Sequence, residues 1–407
     1  MTLNADRLWH RLKALHEYGQ SPDGGVNRFS FTDEERAVKN QVSKYMRAAG
    51  LEVREDAVGN LVGRLEGTDP AASVILVGSH VDSVPNGGDF DGPLGVLSGI
   101  EAVQAMQEEG HKNRHPIEVV AFTDEEGSRF HFGMIGSRAA AGTLRPEDFD
   151  RTDNNGTSIA EAMKAQGFNP EGFLDAARKP GSVRAYLEVH IEQGKVLELR
   201  NEPVGVVTGI AGPVWLQVRV YGEAGHAGAT PMNLRKDALV GASEMIQFIE
   251  EETSRHPRTV GTVGQLRVSP GGVNIIPGDV EFTLDLRDID VAQRDAAETA
   301  IRAYIRKVCT ERGLKSEIKE LQRIQPVQCD ETVQILMSEA AKEAGFTAPF
   351  LPSGAGHDGM QLAVLCPIGM IFARSKDGIS HHPDEYTSKE DCAAAAQVLY
   401  RTLKKLS

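Results

Sequence analysis

A chain of 407 residues, 40% hydrophobic and 25% charged, has room for two domains and for a core that needs no disulfide staples. Its formal net charge of −14 argues against nucleic acid or an anionic membrane as the main partner. No apolar run approaches the ~20 residues a membrane span requires, and no signal-peptide core follows the first residues, so the expected location is the cytoplasm. The four cysteines, Cys309, Cys329, Cys366 and Cys392, show no CxxC spacing and read as reduced, packed thiols.

Residues 32–49 read as a helix, with Thr32 and Glu35 in a capping-box pattern and Gly50 as a stop signal. Residues 53–65 form a hairpin pattern turning near Gly59-Asn60. Val74-Ile75-Leu76-Val77 is a continuous apolar run, as expected of a strand covered on both faces. A helix over 94–106 and strands over 117–122 and 185–191 follow. Alternation of this kind predicts an α/β fold with a mostly parallel sheet.

The texture changes near Gly209-Ile210-Ala211-Gly212-Pro213. Val214, Leu216, Val218 and Val220 alternate with polar or aromatic residues, the period of a strand with two distinct faces. A helix over 238–252, a second alternating strand over 280–286 and a helix over 291–312 complete a compact α+β unit. The first texture returns with a helix over 332–344, a strand over 368–372 and a last helix capped by Ser388 and Asp391. The expected organisation is a catalytic domain of residues 1–211 plus 328–407, with residues 212–327 inserted into it.

Five polar clusters stand out, most of them at or just beyond the ends of apolar runs: Gly78-Ser79-His80-Val81-Asp82, Asp89-Phe90-Asp91-Gly92, Thr123-Asp124-Glu125-Glu126-Gly127, Glu188-Val189-His190-Ile191-Glu192 and Ser380-His381-His382-Pro383. Open parallel sheets bind ligands at the carboxyl ends of their strands. One histidine after a strand is usually a hydrogen-bonded loop residue. Several such clusters together supply the imidazole and carboxylate donors of a hydrolytic, often two-metal, site. There is no HExxH helix, cysteine-based zinc spacing, GxSxG elbow or Walker sequence.

These residues resemble the dinuclear metallopeptidase and amidohydrolase family that includes aminoacylases, carboxypeptidases and bacterial dipeptidases. The wording of Gly78 to Gly92, Phe122 to Gly142, His190 to Gly194, Gly225 to Met232 and Ser353 to Asp358 is similar to its hydantoinase/carbamoylase branch. The resemblance spans essentially the whole chain. It implies two divalent ions per subunit, Mn, Co, Ni or Zn, with His80, Asp91, Glu126, His190 and His381 as ligands and Asp91 bridging. It makes Glu125 the general base and Asp82 the carboxylate that orients the His80 imidazole. His226 becomes an oxyanion donor reaching a neighbouring subunit. Gln193, Asn274, Arg287, Gly356 and His357 are then substrate residues.

The implied protein is a homodimer, joined through an inserted dimerisation or lid domain, with a small ureido acid as substrate. The implied reaction splits the carbamoyl C–N bond of an N-carbamoyl-L-amino acid, giving the amino acid, ammonia and carbon dioxide. Allantoate hydrolysis is the close alternative. N-acyl amino acid or dipeptide hydrolysis is disfavoured by His190, which stands where peptidase members often place an acid.

Overall fold

Four strands run parallel and side by side in the order Ile117–Phe122, Val74–His80, Val183–Ile191, Ile368–Ala373. All but one of their residues are buried, which is why the corresponding sequence runs are almost continuously apolar. Antiparallel strands flank this parallel centre. The Glu52–Glu55 and Leu61–Leu65 hairpin joins one side through Ile117–Phe122, and Val204–Ile210 joins the other through Ile368–Ala373. The mixed sheet is thus parallel where the histidine-bearing strands lie. The computed structural model describes residues 3–407.

Helices Ala5–Leu15, Pro93–Glu108 and Lys389–Leu406 share one apolar core with the sheet, through Leu8, Leu12, Ile100, Val103, Val398 and Leu403. Ser388 caps the last helix by accepting from the Asp391 amide at 3.0 Å, a contact worth about 1 kcal/mol. Thr32 accepts from the Glu35 amide in the same way. A separate cluster of Phe31, Phe130, Phe149 and Phe173 fills the region beneath the long loops between residues 127 and 176. No helix among the described residues is long and apolar enough to cross a membrane.

The chain divides into two compact units. The first holds the sheet just described, within residues up to Thr208, Cys329–Leu351 and His357–Ser407. The second comprises Gly209–Gln328 with Pro352–Gly356. Residues 352–356, assigned to the catalytic domain on sequence texture, therefore group with the inserted unit. The reason is local: the Ala211 amide donates to the Ser353 carbonyl at 2.8 Å, and Arg287 donates to the Gly354 carbonyl at 2.6 Å.

In the second unit Gly212–Tyr221 lies between Asp279–Asp288 and Lys315–Arg323, all antiparallel. Val214, Leu216, Val218 and Val220 point inward to helices Ala238–Ser254 and Val291–Arg312, while Trp215 and Arg219 point outward. The period-two pattern of the sequence is this two-faced strand. A two-stranded ribbon pairs Gly225–His226 with Ile275–Ile276.

Candidate metal centre

His80 is the last residue of its strand, and His190 lies next to the end of the neighbouring strand, so the sheet itself brings the two rings together. Their ring centroids are 6.1 Å apart. Asp91 arrives on the following loop. Gly92 makes its approach possible: φ is +81°, and a Cβ there would sit 2.5 Å from the His80 ring.

Both imidazoles are fixed by main-chain carbonyls. His80 Nδ1 bonds the Asp82 carbonyl at 3.2 Å and His190 Nδ1 the Ile191 carbonyl at 3.0 Å. A carbonyl only accepts, so in each ring Nδ1 carries the hydrogen. Each Nε2 faces the same oxygen, Asp91 Oδ1, at 3.4 and 3.1 Å. The other oxygen, Oδ2, lies 3.4 Å from His381 Nε2, which is 3.7 Å from Glu126 Oε2. The ligand atoms thus form two sets, His80–Asp91–His190 and Asp91–Glu126–His381, each within 4.8 Å. Tetrahedral bonds of about 2.0–2.1 Å hold their donors about 3.3–3.4 Å apart. The donor chemistry and spacing fit two divalent cations sharing one carboxylate.

A third grouping, Glu188–His190–His357, shares His190. The Glu188 oxygens are already taken, by Ser79 Oγ at 2.7 Å and Tyr186 OH at 3.0 Å. His357 packs its ring against His190 at 4.4 Å, and burial, followed by the nearby His190, holds it well below the ordinary imidazole range.

The centre's electrostatics demand positive charge. Burial opposes a charged His80, yet Asp82 and Asp91 outweigh it and raise its affinity for a proton well above the usual range. The balance at His190 is the same, with burial overcome by Asp91. Hydrogen bonding to Asp91 raises His381 to about 9. Asp91 stays well below the ordinary carboxylate range, because the histidines overcome its burial. A metal ion held by these donors would meet the same demand.

The adjacent glutamates differ. Glu126 joins a donor set, and burial followed by Asp91 pushes it up to about 7. Glu125 joins neither set. Its Oε2 lies 3.8 Å from His80 Nε2, and burial holds it well above the ordinary range against the pull of His80. The Asp82 carboxylate accepts from the amides of Glu125 and Glu126 at 3.2 and 3.1 Å, and sits 3.5 Å from His80 Nδ1. Its shorter contacts therefore brace the main chain of the Glu-Glu pair. The imidazole's nearer partner is the Asp82 carbonyl, a distinction invisible in the spacing of His80 and Asp82.

Gln193, read from sequence as a substrate residue, donates from Nε2 to Asp91 Oδ2 at 2.7 Å and to Ser380 Oγ at 3.1 Å. His382, adjacent to His381, is exposed and accepts from the Asp384 amide, outside the cluster. Two more residues take part: Ser380, which the sequence places in the Ser380-to-Pro383 cluster without a role, and Glu385, which lies outside every cluster. Ser380 Oγ lies 2.9 Å from Asp91 Oδ2, and Glu385 accepts from the Asp91 amide at 3.0 Å. The only available signal was their place beside His381 in the chain.

The other anticipated residues lie in the inserted unit. His226 is exposed, and its Nδ1 accepts from the amides of Gly228 and Ala229 at 3.1 and 3.2 Å. That leaves the hydrogen on Nε2. Exposed Asn274 lies on the opposite strand's approach, its carbonyl accepting from the Ala227 amide at 2.9 Å. Arg287 binds Asp285 through Nε at 2.9 Å and Nη2 at 2.7 Å, and Gly354 O through Nη1. Its side-on fork is therefore already engaged. Gly356 is exposed and falls in this unit, whereas His357 is buried in the first.

Residues 76–405 match the peptidase family M20/M25/M40. The chain is 57% identical over 405 residues to an N-carbamoyl-L-amino acid amidohydrolase of Geobacillus stearothermophilus, covering 100% of this chain and 99% of the relative. It is 37% identical to an allantoate amidohydrolase of Bacillus subtilis, covering 97% and 95%. A crystal structure of an amidase of the hydantoinase/carbamoylase family from Burkholderia multivorans superposes with a TM-score of 0.95 at 36% identity, covering 100% and 98%.

Proposed function

The chain belongs to the peptidase family M20/M25/M40, in its hydantoinase/carbamoylase branch, and from that premise we propose that it hydrolyses the carbamoyl C–N bond of N-carbamoyl-L-amino acids. Products are the L-amino acid, ammonia and carbon dioxide. The observation that carries a two-metal hydrolase is the division of the Asp91 oxygens between two donor sets, with Glu125 beside them and in neither. The carbamoyl substrate rests on the 57% identity to the Geobacillus enzyme.

When bound, two divalent ions supply Lewis acidity and an acidified water for attack on a ureido carbonyl. His80 and His190 hold one set with Asp91; Glu126 and His381 hold the other. Mn, Co, Ni and Zn all accept such ligands. Glu125 takes the proton from the attacking water on a carboxylate oxygen and delivers it to the leaving nitrogen. Asp82 keeps the Glu125 and Glu126 main chain in place while this happens.

His226 donates from Nε2 to the negative oxygen of the tetrahedral intermediate. Its Nδ1 is occupied by two amides, so the donor tautomer is fixed before substrate arrives. His226→Ala should cost about 10²–10³ in turnover, the range for one oxyanion donor. In this reading the inserted unit joins two subunits and His226 serves the partner's centre. Mixing inactive His226→Ala and Glu125→Gln subunits should then restore activity in some hybrid dimers. Verified subunit exchange without recovery counts against the shared site.

Arg287 holds the substrate carboxylate, with Asp285 locking the guanidinium plane and Asn274 assisting. Amidating the carboxylate of an N-carbamoyl amino acid should cripple the wild type and hurt Arg287→Ala much less. A double cycle in kcat/KM reads this coupling. If the two losses simply add, Arg287 does not hold the carboxylate.

Allantoate is the second reading, because it too is a ureido acid with a carboxylate and because of the Bacillus relative. The deciding experiment compares N-carbamoyl-L-amino acids, their D-isomers, allantoate and dipeptides on Mn- or Co-loaded protein. Ammonia released fastest from the L-carbamoyl compounds supports the proposal. Faster turnover of allantoate transfers it to the second reading.

A further inference from the structure

Glu385 is buried, 5% exposed, and comes from a loop almost 300 residues away in sequence from the one it grips. Its Oε1 accepts from the amides of both Phe90 and Asp91, at 2.9 and 3.0 Å. Its Oε2 lies 3.0 Å from Ser380 Oγ, which is itself 2.9 Å from Asp91 Oδ2. The Glu385 amide donates to the His382 carbonyl at 3.0 Å, closing the turn that directly follows His381. One carboxylate thus ties the main chain of the Asp91 loop to the segment that presents His381. The fit is close: a Cβ on Gly88 would lie 2.3–2.4 Å from Glu385.

We infer that Glu385 is a positioning residue for the shared carboxylate, setting the height and rotation at which Asp91 offers one oxygen to each metal site. The inference rests on the reading that Asp91 and His381 hold metal. Asp91 has to present Oδ1 to His80 and His190 and Oδ2 to His381 at once. A small rotation spoils both sets together. The two amide contacts fix the Asp91 backbone, and Ser380 fixes the carboxylate's rotation. Ser380 has one hydroxyl hydrogen for the two carboxylates beside it. A glutamine at 385 satisfies the same web: its oxygen accepts from both amides, its NH₂ donates to Ser380 Oγ, and the hydroxyl hydrogen goes to Asp91.

The test is Co²⁺ titration of metal-stripped wild type, Glu385→Ala, Glu385→Gln, Ser380→Ala and Asp91→Asn, reading the visible absorption of bound Co²⁺ and the Tm of each metal-free protein. Loss of a partner that orients a ligand costs about 10–100-fold in metal affinity. Glu385→Ala should weaken Co²⁺ by that factor and change the absorption band in a protein that still folds without metal, its metal-free Tm lowered by the two amides left unpaired. Glu385→Gln should recover most of the affinity and the wild-type band. Wild-type Co²⁺ binding by Glu385→Ala, beside loss in Asp91→Asn, overturns the inference. So does a Glu385→Gln variant no better than Glu385→Ala. If Glu385→Ala does not fold, Ser380→Ala decides: weakened binding with an altered band supports the link and wild-type binding refutes it. Should Asp91→Asn itself bind Co²⁺ like wild type, the metal reading fails, which is a different result.

Discussion

Glu125→Gln should lose about 10²–10⁴ of turnover, the worth of a positioned general base, and still take up both metal ions. Glutamine keeps the size of the side chain, and its amide cannot take a proton from water. Glu125 stands outside both donor sets, with its nearest ring nitrogen 3.8 Å away, so no ligand is removed. The main chain beneath it stays held by Asp82. Metal analysis of the purified variant, set beside kcat on an N-carbamoyl-L-amino acid, checks both halves. A variant that has lost an ion shows Glu125 to be a ligand and leaves the reaction without its assigned base.

Asp91→Asn should be more severe, because one exchanged atom takes a ligand from one site and the shared negative charge from both. The amide retains one oxygen. Its NH₂ then faces either the Nε2 lone pairs of His80 and His190 or the donors of Gln193 and Ser380. Either orientation removes a ligand atom, and the negative charge that offsets two cations is gone. The loss of affinity should exceed the ~10–100-fold of an outer partner, with both ions absent after dialysis and activity at background. His80→Ala provides the contrast, since it strips a ligand from one set and leaves Asp91, Glu126 and His381 intact. Metal content per chain after dialysis distinguishes the two.

The residues that converge were legible because they stand at the ends of strands whose apolar runs are unmistakable. Val74 to Val77 and Ile117 to Phe122 are buried on both faces, and a strand covered on both sides of the sheet explains such runs. His80, His190 and the Glu-Glu pair follow from that placement. The polar edges were harder. Lys315–Arg323 alternates only weakly, because most of its residues are exposed at the sheet's edge, and it escaped notice. The amphipathic Ala5–Leu15 helix, capped by Asn4, also went unread.

Within the centre, distance along the chain hid the rest. Nothing near Glu385 announces that it will bind the Asp91 amide, and nothing near Gln193 announces its contact with the Asp91 carboxylate. Arg287 sits two residues after Asp285, the side-chain spacing of one face of a strand. In the fold this neighbour occupies its fork, which the spacing alone does not require. The Ser353–Asp358 loop was recognised as a unit, whereas the fold divides it between Gly356 and His357.

The central claim is that one carboxylate is shared by two ions, and the number of ions bound per chain tests it most directly. Stripped wild-type protein should bind two Co²⁺ or Mn²⁺ per chain, with activity reaching its maximum only as the second is taken up, and Asp91→Asn should retain neither. A single ion per chain at full activity, or an Asp91→Asn protein that still holds two, would contradict the account.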